Sequence, residues 1–205
     1  MKILNLLTKG TEYTSNVYLI TGTWNTLDDV NTLIDVGRDP GILPGLMAAS
    51  TGFGKKRVAQ VILTHSHYDH VTLLPLICDM FNPVVRAASP FFEGVDVILK
   101  GGEHVKLGDR DFEIIYTPGH SNDSICLYCR QEGVLFSGDA PLVIHTTDGT
   151  YEPEFISALE RLCSMDIRSL YFGHGPPLLD GCNEVLNESL ENVRKSRCPN
   201  IFFTR

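Results

Sequence analysis

A layered α/β domain, with sheets packed together and helices outside, is the fold class that the sequence predicts. Short apolar runs rich in β-branched residues recur along the chain, helical patterns sit between the later runs, and the gaps are generally too short for linkers. At 205 residues the chain has the size of one domain, and residues 1–205 are read as one. Hydrophobic residues at 43% and charged residues at 20% furnish an ordinary core and exclude a disordered chain.

The elements follow in order. Runs at 3–7, 16–20, 32–35 and 58–63 read as strands, and runs at 84–87, 112–117, 124–128, 134–137 and 169–172 continue the series. A helix is predicted over 70–81, with Leu73, Leu74, Ile77, Met80 and Phe81 at helical spacing; Pro75 is expected to kink it or delay its start. A second helix spans 152–165, with Pro153 in its first turn and Phe155, Leu159 and Leu162 on one stripe. The third spans 183–196, turning Leu186, Leu190 and Val193 inward. Residues 100–117 read as a hairpin with Gly108-Asp109-Arg110-Asp111 at its turn, and 37–55 as loop.

The net charge of −8 argues against a generally basic, phosphate-binding surface, so no nucleic-acid partner is expected. No apolar stretch reaches the ~18 residues that span a bilayer. The basic-then-apolar start is cut off by Thr8, Lys9 and Gly10 too early for a secretory signal. A cytoplasmic protein acting on a small molecule, away from membranes, is the expectation. Cysteine usage agrees: the six cysteines are scattered, and the pair in Cys126-Leu127-Tyr128-Cys129 lies in a strand, where residues three apart point to opposite faces. No second such pair completes a four-sulfur site, so these thiols are read as unreactive.

The chemistry gathers after residues 58–63, in Thr64-His65-Ser66-His67-Tyr68-Asp69-His70. Four metal-ligand side chains fall within six residues at a strand–helix junction. Crowded imidazoles repel once protonated, and unpaired polar groups are costly to bury. A borderline divalent cation relieves both problems, because neutral imidazole and carboxylate are the ligands it prefers. His65 and His67 point to one side of an extended segment, whereas Asp69 and His70 turn toward a second point. Other strand ends repeat the pattern, a glycine and then a ligand: His120 in Pro118-Gly119-His120-Ser121, Asp139 after Gly138, and His174 in Gly173-His174-Gly175. Such strand ends gather at one edge of a sheet, where α/β proteins build active sites.

The set His65-x-His67-x-Asp69-His70, then His120, Asp139 and His174, resembles the metal-binding signature of the metallo-β-lactamase superfamily. Asp35, in Leu33-Ile34-Asp35-Val36-Gly37, matches that family's first motif. The resemblance implies a four-layer αβ/βα sandwich with two divalent metal ions at one edge, zinc first among them, with iron or manganese as alternatives. It implies that His65, His67 and His120 hold one ion, that Asp69, His70 and His174 hold the other, and that Asp139 bridges them. Asp35 is then expected behind the ligands, fixing their orientation. The implied activity is metal-dependent hydrolysis of an ester, thioester, lactone or related bond by a metal-bridging hydroxide. Asp69 and Asp139 orient the nucleophile, and Asp69 passes a proton to the leaving group.

Departures from subfamilies narrow the reading. Antibiotic-hydrolysing members commonly use a cysteine at the second metal, where this chain supplies only nitrogen and oxygen donors. The flavodiiron proteins carry a glutamate where this chain has His67. Glyoxalase II is similar at the ligands, but it carries a helical extension for glutathione that the short tail after His174 does not match. The rival reading is a persulfide dioxygenase of the same superfamily, with one iron on His65, His120 and Asp139. Elsewhere, His104 is placed on the hairpin and His145 in a surface loop. Tyr13, Trp24 and residues 37–55 are placed in loops able to overhang the site. Gly52-Phe53-Gly54-Lys55-Lys56-Arg57 forms a small basic patch, read as a solvated face.

Overall fold

In the computed structural model, which describes residues 1–7, 13–90 and 93–196, the apolar runs pair into two sheets. The first sheet contains β1 (Lys2–Asn5), β2 (Tyr18–Thr21), β3 (Thr32–Ile34), β4 (Gln60–Ile62), β5 (Val84–Ala87) and β6 (Val97–Ile98), side by side in that order. Strands β1 to β3 are antiparallel neighbours, and β3 to β6 run parallel. The second sheet has the order β11 (Ser169–Phe172), β10 (Val134–Gly138), β9 (Ile125–Cys129), β8 (Arg110–Tyr116) and β7 (His104–Leu107). Its strands are antiparallel except for the β10–β11 pair.

Strand alternation builds the layers. In the first sheet Tyr18, Ile20, Ile34 and Ile62 face the second, where Phe112, Ile114, Leu127 and Phe136 meet them. The intervening residues Leu19, Leu33, Val61 and Val85 point the other way, onto α1 (Ile42–Ala48) and α3 (Leu74–Phe81). Ile115, Cys126, Tyr128, Leu135 and Leu170 likewise turn outward, under α4 (Pro153–Cys163) and α5 (Cys182–Ser196). The four layers are therefore helix, sheet, sheet, helix, as expected. Phe136 sits at the inter-sheet centre, its ring 5.0 Å from Tyr171 and 5.2 Å from Tyr18. Burying a side chain of that size stabilises the fold by about 1.5–3 kcal/mol.

Several elements depart from expectation for identifiable reasons. The segment read as loop at 37–55 contains α1, which buries Ile42 and Leu46. It carries Pro44 and Gly45, no acid in its first turn and no side-chain cap, so propensity speaks against it and apolar burial decides. The helix expected over 70–81 divides into α2 (Tyr68–Val71) and α3, with Pro75 in the first turn of α3, where no N–H is needed. Strand β6, of two residues, carries no periodic signal. The hairpin is present as β7 and β8, pairing His104 with Glu113 and Leu107 with Arg110. Cys126 faces the outer core and Cys129 the inter-sheet core. Burial pushes the Cys126 thiol up to about 12, consistent with an inert thiol. Cys198 lies outside the described residues. No helix among the described residues is long and apolar enough to cross a membrane.

Candidate metal centre

The edge where the two sheets meet is formed by segments leaving strand ends. Asp35 follows β3, the histidine-rich segment follows β4, His120 lies beyond β8, Asp139 follows β10, and His174 lies beyond β11. Backbone bonds tie these segments together: Ile125 N donates to Thr64 O at 2.9 Å, Ser15 N to Asp69 O at 3.1 Å, and Asn16 N to Gly173 O at 2.6 Å. The Asn16 side chain adds bonds to Phe172 O at 3.0 Å and Gly175 O at 2.8 Å, bracketing His174.

Every residue predicted for the metal site arrives at this edge. Candidate ligand atoms of His65, His67 and His120 lie within 4.8 Å of one another, as do those of Asp69, His70, Asp139 and His174. The groups meet at Asp139, whose Oδ2 is 3.5 Å from His120 Nε2, 3.4 Å from His174 Nε2 and 4.0 Å from His65 Nε2, while its Oδ1 is 3.3 Å from His70 Nε2. Asp69 Oδ2 lies 3.1 Å from His174 Nε2. In the first group, His67 Nδ1 and His120 Nε2 are 2.8 Å apart.

Behind these atoms stands Asp35, buried and in the left-handed conformation at φ 55°, which aspartate tolerates better than most residues. Its Oδ1 accepts from Thr64 N at 2.8 Å; its Oδ2 accepts from Thr64 Oγ1 and from His70 Nδ1, both at 2.8 Å. The Thr64 hydroxyl spends its one proton on Asp35, so His65 Nδ1, 3.1 Å away, is the donor in its contact with Thr64. Both imidazoles, when neutral, are thus held in the tautomer that turns a bare Nε2 lone pair toward the centre. Thr64 and Asn16 act as positioning residues without a motif that singles them out. Thr64 stands directly before the histidine cluster, a position that was available as a signal.

The fit to a cation is visible in the polar atoms that lack partners. His65 Nε2, His70 Nε2 and Asp139 Oδ1 are buried and make no hydrogen bond. Three orphaned donor atoms on neighbouring ligand-type residues are costly without a cation and satisfied with one. Charge is balanced accordingly. Burial alone would lower the pKa of His70, but the Asp35 charge, the hydrogen bond to Asp35 and the nearby Asp139 carboxylate outweigh it and raise it to about 10. Burial pushes His65 down to about 4, with the His70 charge acting in the same direction. Burial would raise Asp139, but the adjacent His174 and His70 imidazoles hold its carboxylate well below the usual range.

Two glycines are set by close approach. Gly138 has φ 51° and lies so near Thr64 that a Cβ would stand 2.6 Å from the hydroxyl oxygen. A Cβ at Gly173 would run into the Asp139 carboxylate and come within 2.8 Å of His70 Cε1. Gly173→Ala is therefore expected to displace Asp139 and weaken metal binding by at least tenfold. A chelator-competition titration checks it, with far-UV circular dichroism confirming that the fold is retained.

Other candidates distribute differently. Tyr13 overhangs the site as expected: its ring stacks on His174 at 4.9 Å and its hydroxyl is 3.4 Å from Nε2. Trp24 does not, and neither does the Phe53 end of the 37–55 segment. Residues 22–31 precede β3 and residues 50–59 precede β4, whereas the ligands follow the other ends of these parallel strands. The basic patch shares that far end. His104 pairs with Asp111 at 2.5 Å on the exposed hairpin, and His145 is exposed in a loop.

Comparison with known proteins agrees with this architecture. The family model of the metallo-beta-lactamase superfamily matches residues 10–196. An atrochrysone carboxyl ACP thioesterase from Aspergillus fumigatus is 28% identical over 169 residues, covering 80% of this chain and 53% of that protein. A hydroxyacylglutathione hydrolase from Legionella pneumophila (strain Paris) is 25% identical over 193 residues, covering 86% and 74%. The chain thus spans about half the length of the first of these relatives. Among solved structures, ETHE1 from Myxococcus xanthus superposes with a TM-score of 0.70 at 22% identity, covering 97% of this chain and 86% of that one. With helix–sheet–sheet–helix layers, a histidine- and aspartate-lined edge and a family match over nearly the whole chain, the protein belongs to the metallo-beta-lactamase superfamily.

Proposed function

We propose that the chain is one domain and a hydrolase that uses two divalent cations, one held by His65, His67 and His120 and the other by Asp69, His70 and His174, with Asp139 shared. The observation that carries this reading is the convergence of seven donor side chains on one edge, with three of their buried polar atoms left unpartnered. A pair of such cations supplies Lewis acidity, lowering the pKa of water from about 15.7 toward ~7 and polarising a substrate oxygen. Zinc suits the donor set best, since it accepts imidazole nitrogen and carboxylate oxygen without geometric preference.

The protein's own residues do the rest. Asp35 and Thr64 keep the His65 and His70 rings oriented. Asp69, buried beside His174, is the carboxylate placed to hold the attacking water's proton and return it to the leaving group. A thioester is the preferred bond, because one relative carries thioesterase in its name and the other is a hydrolase. The test is turnover of aryl ester and acyl thioester probes by the metal-loaded protein. One iron per chain, with oxygen consumed on a thiol persulfide and no hydrolysis, would instead establish the dioxygenase reading.

Tyr13 serves as a substrate contact. Its hydroxyl has His174 Nε2 as partner, the atom assigned to a cation, so the phenol is released to bond a substrate oxygen. Tyr13→Phe keeps the ring stack on His174 and is expected to lower kcat/KM by about tenfold, the worth of one hydrogen bond, with metal content unchanged. Steady-state kinetics alongside elemental analysis checks this.

A further inference from the structure

Among the described residues, the most exposed large apolar side chains lie at the end remote from the metal centre. Phe53 is 99% exposed, Trp24 85% and Leu27 74%. They project from two turns that touch: Asn25 Nδ2 donates to Ser50 O at 3.3 Å, and Lys55 Nζ to Thr26 O at 2.8 Å. Gly52 and Gly54, on either side of Phe53, both have positive φ, and a Cβ on Gly54 would stand 3.8 Å from Leu27. Three bulky side chains stand out on loop tips. They are shaped to enter a soft surface.

The charge around them is positive. Lys55, Lys56 and Arg57 follow directly, and Lys106 reaches Asp28 O at 2.9 Å. All four cations spend their hydrogen bonds on backbone carbonyls, including Asn82 O for Lys56 and Leu46 O and Ala49 O for Arg57. The carboxylates nearby are Asp28, which is exposed, Asp29, which is buried and bonded to Thr26, Asp109, which accepts from Thr23 N and is paired with Arg110 and the Met1 amine, and Asp111, which stands opposite Lys106 and is paired with His104. With Asp109 matched by Arg110 and the Met1 amine, Asp111 by His104 and Asp29 buried, Lys55, Lys56, Arg57 and Lys106 leave a local excess of positive charge on a chain whose net charge is −8.

From this we infer that the 24–27 and 50–57 turns form a docking surface for an anionic lipid membrane, with Trp24, Leu27 and Phe53 entering the interface and the lysines meeting headgroups. Charge complementarity selects this occupant over a second copy of the chain, because a two-fold contact sets the same patch on itself and opposes lysine to lysine. The metal centre, at the other end, stays open to solution in the docked protein. The inference is independent of the reaction catalysed there.

Trp24 is the only tryptophan, so its fluorescence reads the surface directly. With vesicles of phosphatidylcholine containing phosphatidylglycerol, its emission is expected to shift to the blue and become shielded from acrylamide, and the protein is expected to sediment with the lipid. Phosphatidylcholine vesicles alone should bind far less. Phe53→Ser should lower partitioning roughly tenfold. Lys55→Gln combined with Lys56→Gln should lower it by a similar factor or more, roughly fivefold per lysine. Both variants should keep the far-UV circular dichroism and metal content of the unaltered protein. Unchanged emission with protein left in the supernatant at both lipid compositions would overturn the inference, as would equal binding to neutral vesicles. A blue shift that grows with protein concentration in the absence of lipid, with doubled mass, would overturn it too and identify a second copy as the occupant.

Discussion

Replacing Asp139 with alanine is expected to remove bound metal and hydrolytic turnover together, the latter on the order of 10³-fold or more. The size follows from position. Asp139 is the residue at which the two ligand groups meet, with nitrogens of His70, His120 and His174 within 3.5 Å of its oxygens. Removing the carboxylate leaves these imidazoles without the negative charge that offsets a dication. Elemental analysis and an ester assay on the same preparation read the result, with circular dichroism confirming a folded chain. Retained turnover in a metal-free Asp139→Ala protein would remove Asp139, and water activation by metal, from the account.

The second large effect is expected at Asp35, which touches no substrate. Asp35→Ala strips the acceptor from three buried donors, Thr64 N, Thr64 Oγ1 and His70 Nδ1. It also leaves a residue with a methyl side chain at φ 55°. Losing a buried, charge-assisted network of this kind costs about 3–5 kcal/mol, measurable as a lowered denaturation midpoint of the metal-free protein. Asp35→Asn separates the two roles. Asparagine tolerates the same backbone conformation, so stability is expected to fall less, while metal affinity falls 10–100-fold because one oxygen acceptor becomes an N–H donor facing Thr64 or His70. Equal stability and equal metal affinity in both variants would show that the histidine tautomers are set elsewhere.

The contrast between Asp35 and Thr64 shows how much of the site was legible in the sequence. His65, His67, Asp69 and His70 announce themselves by density, and His120, Asp139 and His174 by the repeated order of apolar run, glycine and ligand. Asp35 becomes legible through resemblance. Thr64 and Asn16 do not, because their importance lies in which hydrogen bond each side chain makes once strands from distant segments are side by side. The fold divides in the same way. Side-chain alternation identifies the inter-sheet face, since Tyr18, Ile20, Ile34 and Ile62 are spaced for it. Helix α1 is not legible in the sequence because Pro44 and Gly45 oppose a helix that tertiary burial of Ile42 and Leu46 nevertheless stabilises. The expectation that Trp24 and residues 37–55 overhang the site fails at Trp24 and Phe53, because only the parallel pairing of β3 with β4 shows which loops precede these strands and which follow.

The central claim is that this edge holds a pair of cations, and the most direct test is elemental analysis of protein purified without chelators. The account predicts two divalent ions per chain, lost in Asp139→Ala and in His67→Ala. A single ion per chain that survives His67→Ala, or a fully active protein carrying none, would contradict it.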